Sequence, residues 1–418
     1  MLNARFIYSA CIVLETNDIS ICCDPWFSEG AYDGSWFQFP RVEDPIDAIG
    51  QVDAIYISHI HPDHYDPKFL REYLQRNRDC RLIIGMNNQE FLAQKMLRDG
   101  FEPLQTNSLT VGETEITIVE NSHYEYANID SAMVVKRGRS SVVNLNDCVV
   151  DTDQILQIKN ACGGNPTVAF LPFAGAGPFP QKYLFDDEND RKQAEDHKRR
   201  QFLDQYQEYI QRLCPKIGVP FAGQYYLGGQ MRSLNWCRGV PDAVEVLEVD
   251  GSTSTVLLEE SGTLNAETLS IEGQRTKPHS RSDIDTSLER TKNLAYNYEN
   301  ESLLGVDRQS SLLELFRISH GRALRHVKFS SPHWLCIVPN PDQFFCLDLS
   351  GTYEVSLQTD ISKLMPREEI YLDERHLFGL LTRRYHWNNA EIGSHFSIRR
   401  APNHFNRDVY NFLNFLHI

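Results

Sequence analysis

Along the first half of the chain, apolar positions arrive in short blocks, and the blocks switch between two periods. Residues 6–16 and 19–23 read as two strands around a turn at Asn17-Asp18, a hairpin at the start of the chain. Residues 27–45 are rich in Gly, Trp, Phe and Pro and predict a long loop. Residues 52–57 are short, apolar and β-branched, the pattern of a buried strand. Asp66-Pro67 offers an N-cap acid followed by proline at the first helical position, and Leu70, Tyr73 and Leu74 carry a helix onward. Residues 80–85 predict a strand, and 89–98 a helix that stops at Gly100. Strands follow at 114–120, 131–136 and 141–145, the last two joined around Arg137-Gly138-Arg139. A short helix at 151–159 and a strand at 167–173 continue the alternation, which predicts a layered α/β architecture.

The second half begins with a charged stretch, 185–213, that predicts a long and partly exposed helix. Residues 251–292 are polar and read as a hairpin and loops. Strand patterns return at 334–338 and 343–349, with a helical run at 373–384. The expected organisation is a catalytic domain over 1–250, a variable polar connection over 251–314 and a smaller α+β domain over 315–418.

Composition narrows the function classes. The 418 residues are 41% hydrophobic and 23% charged, with a net charge of −16. That balance disfavours nucleic acid as a partner, since phosphate binding needs a basic face. The 10 cysteines include no C-x-x-C pair, so neither a disulfide framework nor a paired-thiol metal site is expected, and a cytoplasmic setting follows. Residues 1–10 lack the pattern of a signal peptide. No apolar run approaches the roughly 20 residues that span a bilayer, so no membrane association is expected. No nucleotide-binding motif is evident.

The chemistry concentrates in Ser58-His59-Ile60-His61-Pro62-Asp63-His64, just after a predicted strand. Neutral imidazole and ionised carboxylate are the ligands that zinc, iron and manganese accept. His59 and His61 can converge on one ion, while Asp63 and His64 turn toward a second about 3.5–4 Å away. His123 follows the strand at 114–120, and Asp147 follows the strand at 141–145; both stand at strand ends where further ligands would arrive.

The pattern H-x-H-x-D-H resembles the signature of the metallo-β-lactamase superfamily. That resemblance implies an αββα sandwich with one or two divalent ions, iron or zinc with manganese as an alternative, at one edge. It implies His123 as the third imidazole of the first ion and Asp147 as a carboxylate shared by both. It also implies a hydrogen bond from Asp24 to a ligand histidine, although an Asp before Pro can simply open a turn. The superfamily's last histidine has no counterpart between Asp147 and Gln230 except His197, on a solvated helical face; Gln224 or a water stands in at the equivalent station. Asp24-Pro25-Trp26-Phe27, Asn144-Leu145-Asn146-Asp147-Cys148 and the run from Thr382 to Ala390 resemble the metallo-β-lactamase-like part of CMP-N-acetylneuraminate hydroxylase. The same branch is similar to the diiron thioesterase of platensimycin-type biosynthesis. The paired Cys/His ligands of a Rieske cluster do not occur. Residues from about 315 on resemble a sterol-carrier-like fold.

The expected activity is hydrolysis by a metal-activated water, with Asp63 or Asp147 orienting it or taking its proton, on a small organic or sugar-like substrate such as a thioester, ester or amide. A diiron oxygenase fed by a separate electron donor is the alternative, and a non-catalytic metal-binding scaffold the third reading. Trp26 and Trp36 in the aromatic loop and the planar forks of Arg383 and Arg384 are candidate substrate contacts.

Overall fold

The computed structural model describes residues 1–86, 90–121, 129–249, 255–303, 308–340 and 343–418. Its first sheet joins β1 (Leu2–Tyr8), β2 (Cys11–Thr16), β3 (Ser20–Cys23), β5 (Ala54–Tyr56), β6 (Arg81–Ile84), β7 (Leu104–Gln105), β15 (Leu258–Asn265) and β16 (Ile271–Gln274), in the order β16-β15-β1-β2-β3-β5-β6-β7. A second sheet runs β13-β12-β11-β10-β9-β8. Its members are β8 (Ser108–Val111), β9 (Thr114–Glu120), β10 (Ser131–Arg137), β11 (Ser140–Asn144), β12 (Val168–Pro172) and β13 (Ile217–Phe221). Two short strands, β4 (Trp36–Phe37) and β14 (Tyr226–Leu227), pair with each other.

Strand periodicity builds the layers. In β10, Met133 and Val135 point inward to meet Ile12, Leu14 and Ile21 of the first sheet, while Ala132 and Val134 point outward. β12 is apolar throughout because both of its faces are covered: Phe170 enters the inter-sheet core and Leu171 packs under helices. Ile155 and Ile158 of the helix Thr152–Cys162 and Tyr206 and Tyr209 of the helix Glu188–Leu213 close the outer face of the second sheet. Leu70 and Tyr73 of the helix Pro67–Arg76, with Leu92 and Met96 of the helix Phe91–Arg98, close the first. The result is the helix–sheet–sheet–helix sandwich.

The C-terminal region holds a mixed sheet, β19-β18-β17-β20-β21, made from β17 (Trp334–Asn340), β18 (Gln343–Asp348), β19 (Ser356–Gln358), β20 (Arg367–Tyr371) and β21 (Ser397–Ala401). Its core reaches back into the first half of the chain through Tyr183, which is buried there; Leu184 N–H donates to Ile398 O at 2.8 Å.

Three expectations change. Residues 6–16 are not one strand: the backbone reverses at Ser9-Ala10, with Ser9 at φ +49°, and β1 pairs antiparallel with β2. The hairpin expected within 251–292 forms as β15 and β16, but it joins the first sheet instead of standing as a separate connection, with Leu264 opposite Ala4. The aromatic loop carries β4 and the short helices Ala31–Gly34 and Pro45–Ile49. No helix among the described residues is long and apolar enough to cross a membrane.

Candidate metal centre

Strand direction decides what meets at the edge. β3 runs parallel to β5, so the loops leaving Cys23 and Tyr56 emerge on the same side. β10 runs antiparallel to β11, so the residue entering β10 stands beside the loop leaving β11. The sheets are tied together beneath these loops. Tyr56 OH donates to Ser131 O at 2.9 Å, and Ser131 Oγ donates to Ser58 O at 2.9 Å.

Two groups of side chains converge there. His59 is fully buried, with Nε2 2.9 Å from His61 Nδ1 and Nδ1 3.6 Å from Asp130 Oδ1. His64 Nε2 lies 3.4 Å from Asp147 Oδ2 and 3.7 Å from Asp63 Oδ2. The ligand atoms of His59, His61 and Asp130 fall within 4.8 Å of one another, as do those of His59, His64 and Asp147. The structure therefore brings together His59, His61, Asp63, His64 and Asp147. His123 lies outside the described residues.

A surrounding layer orients these groups. Asp24 accepts from Ser58 N–H and Ser58 Oγ, both at 2.7 Å, and lies 3.0 Å from His64 Nδ1. A carboxylate behind an imidazole fixes which nitrogen faces a metal. Tyr32 OH donates to Asp63 Oδ1. His61 Nε2 is 3.0 Å from Asn388 Oδ1, which arrives from the C-terminal region.

Asp130 was not among the residues singled out from sequence, and Asn388 stood there only within the run from Thr382 to Ala390. Asp130 carried a signal, an acid directly before the predicted strand at 131. For Asn388 nothing local pointed to His61, because that contact spans 327 residues. Other candidates fall elsewhere. Gln224 accepts at its backbone carbonyl from Tyr8 OH. Arg384 is exposed and pairs with Glu301 at 2.7 Å, and Arg383 is also exposed. Trp26 and Trp36 are buried in an aromatic cluster; Trp36 stacks on Tyr225 at 3.3 Å and tilts against Tyr32 at 4.6 Å.

Electrostatics match a site built for cations. Burial, with His64 and His61 alongside, holds His59 well below the usual imidazole range, and burial lowers His61. Both imidazoles are thus neutral and able to donate a lone pair. Burial works against charge on His64, but Asp147, Asp63 and Asp24 together outweigh it and raise its pKa well above the ordinary value. Burial likewise opposes ionisation of Asp147, and His64 reverses that, leaving the carboxyl below its ordinary value. Asp130 is pushed up to about 8 by burial and by Asp147. Its Oδ1 is buried and has no hydrogen-bond partner among the described residues. Crowded carboxylates and an orphaned carboxylate oxygen facing imidazole nitrogen are what a divalent cation would satisfy.

Residues 4–177 match the family model of the beta-lactamase superfamily domain. A Mycolicibacterium smegmatis protein, named for a Rieske 2Fe-2S iron-sulfur protein, is 31% identical over 242 residues, 55% of this chain and 45% of its own length. The cytidine monophosphate-N-acetylneuraminic acid hydroxylase of Pongo pygmaeus is 24% identical over 236 residues, 54% of this chain and 39% of its own. The chain thus spans less than half the length of these relatives. Among solved structures, Igni18, a metallo hydrolase of Ignicoccus hospitalis, is similar at 15% identity and a TM-score of 0.41, covering 63% of this chain and 97% of that one. CmlA, a diiron beta-hydroxylase of Streptomyces venezuelae, is similar at 17% identity and a TM-score of 0.39, covering 63% and 54%.

Proposed function

From the match of residues 4–177 to the beta-lactamase superfamily domain, we propose that the protein is a metal-dependent hydrolase of a small organic substrate. The observation that carries this reading is the pair of ligand groups sharing His59. His59, His61 and Asp130 would hold one ion, and His64 and Asp147 would engage a second, with Asp63 beside them. A divalent ion bound there supplies a Lewis acid and lowers the pKa of water toward about 7.

The chain's own groups divide the remaining work. Asp63 has one oxygen engaged by Tyr32 OH and its side chain is only 12% exposed, whereas that of Asp147 is 35% exposed. Asp147 is therefore the carboxylate that reaches a water molecule and accepts its proton. Asp63 holds its place through Tyr32. Asp24 keeps Nε2 of His64 turned toward Asp147 by occupying Nδ1. Tyr32, packed against Trp36 and through it against Tyr225, backs Asp63 on one side.

A second reading, oxygenation with an external electron donor, is favoured by the name of the hydroxylase relative. The two separate in one experiment. The metal-loaded protein is assayed against a panel of thioesters, esters and amides with and without dioxygen and reductant. Hydrolysis expects turnover in the absence of both, and a loss of about 10²–10⁴ in kcat for Asp147→Asn, with the variant's metal content measured alongside. Turnover only with dioxygen and a reductant would replace it with the oxygenase.

A further inference from the structure

The metal loop and the C-terminal region share a rim. Asn388 Oδ1 lies 3.0 Å from His61 Nε2, and Trp36 Nε1 donates to Ile392 O at 3.3 Å. These contacts seat the short helix Trp387–Ile392 against the helix Ala31–Gly34, which carries Tyr32 and Asp33. His386 caps the first of these helices, two residues before the one that touches His61. Its Nδ1 accepts from Asn388 N–H at 3.3 Å. A ring nitrogen that accepts carries no proton, so the imidazole proton lies on Nε2. His386 is exposed and belongs to neither ligand group, and its Nε2 has no partner among the described residues.

The turn that leads into His386 divides its side chains. Glu301 takes two of them, accepting from Tyr385 OH at 2.5 Å and pairing with Arg384 Nε at 2.7 Å. Arg383, at a left-handed φ of +64°, is exposed and has no carboxylate within 4.0 Å among the described residues. The chain is strongly acidic, so an arginine left without an acid beside this rim does not reflect a shortage of acids. Desolvation and the charge of Arg383 lower the His386 pKa to about 4, and the charges of His61 and Asp33 reach the ring as well.

The chemistry of the pair is one-sided. The guanidinium offers donors in a planar fork, and the imidazole offers the N–H of Nε2; its accepting nitrogen is already taken. Such donors suit the oxygens of a carboxylate or phosphate and have nothing for a cation. A metal centre acts on the reacting bond, while contacts farther along a substrate fix its orientation. From this geometry we infer that His386 and Arg383 form a subsite for an oxyanion, a carboxylate or phosphate that the substrate carries beyond the bond reacting at the His/Asp centre. The assignment to a substrate rests on the metal-hydrolase reading above; anion binding at the rim does not.

The test is calorimetric titration of the metal-loaded full chain with benzoate, with phenyl phosphate and with benzamide as the neutral analogue, with metal content measured on the same samples. The inference expects at least one anion to bind about tenfold or more tightly than benzamide. Arg383→Gln and His386→Asn, which keeps a helix cap, are each expected to weaken that anion at least about fivefold, with metal content and thermal midpoint unchanged. Tighter phenyl phosphate would mark a phosphate-bearing substrate, and tighter benzoate a carboxylate-bearing one. Arg76→Gln, which removes the same charge from the far end of the helix Pro67–Arg76, is expected to change nothing. Anions that bind no better than benzamide would overturn the inference. So would an anion preference that survives in both rim variants, which would place the anion on the metal ions, or an equal loss in Arg76→Gln, which would make it an effect of overall charge. A preference that depends on Arg383 and His386 in a chain that takes up no metal would keep the anion site and remove the enzymatic reading.

Discussion

Asp24 sits at φ +43°, a left-handed conformation that Asp and Asn tolerate better than most residues. Its two oxygens serve Ser58 and His64 together. Asp24→Asn keeps the backbone conformation and one acceptor but loses the charge behind the imidazole. The expected result is metal affinity lower by about 10–100-fold, read by competition with a chelator, with little change in fold. A second prediction concerns Glu391. Burial and Glu368 hold a proton on its carboxyl up to about pH 8 in the native protein, against an ordinary glutamate value of 4.5 when free. Between those values the native state binds more protons than the unfolded state, so this group's contribution to stability falls as pH rises through the window. Glu391→Gln is expected to flatten that fall in thermal midpoint between pH 5 and 8; an unchanged slope would contradict it. At this scale the sequence was legible where ligands lie within one loop, as in His59 to His64. It was partly legible at Asp130, whose strand-start position is local. Asn388 stood in the C-terminal run singled out from sequence, but its contact with His61 was illegible, because only the tertiary fold makes it.

At the scale of elements, Asp66 joins two parts of the fold. It N-caps the helix Pro67–Arg76 by accepting from Phe69 N–H at 3.0 Å. It also accepts from Phe27 N–H, Ser28 N–H and Ser28 Oγ, anchoring the start of the aromatic loop. Asp66→Ala therefore removes more than an ordinary cap. A loss of about 2 kcal/mol or more is expected in urea unfolding, at or beyond the upper end for caps. Local pattern predicted the helix start, because a cap and a proline are adjacent in sequence. It missed the reversal at Ser9-Ala10, because residues 6–16 contain neither glycine nor proline to mark a turn. It also missed β15 pairing with β1, which brings Asn265 opposite Asn3. That partner is chosen by an open sheet edge, and a polar strand gives little sign of which edge it will fill.

Across the whole molecule, the C-terminal region is part of the site's support. Asn388 meets His61, His395 Nε2 lies 2.7 Å from Tyr32 O, and His376 Nε2 lies 3.0 Å from Asp33 Oδ2. These contacts clamp the Tyr32-Asp33 turn, and Tyr32 in turn holds Asp63. Changes in the C-terminal region should therefore be felt at the metal. Asn388→Ala is expected to speed metal loss to a chelator without altering the thermal midpoint of the metal-free protein, and equal rates of loss would contradict it. Metal binding also feeds back on stability. A ligand at about a thousandfold excess over its Kd stabilises the state it binds by roughly 4 kcal/mol, so chelation should lower the thermal midpoint by several degrees. The layered architecture was readable from alternating periods. The docking of the C-terminal sheet on residues 182–184 was not, since it is specified by packing and main-chain bonds, not by pattern.

The most direct test is the metal content of the purified full chain after expression in metal-supplemented medium, compared with a variant carrying His59→Ala and His64→Ala. The account predicts about one to two transition-metal ions per wild-type chain and nearly none in the variant. A wild-type chain that folds and stays free of metal, or a variant that retains it, would contradict the account.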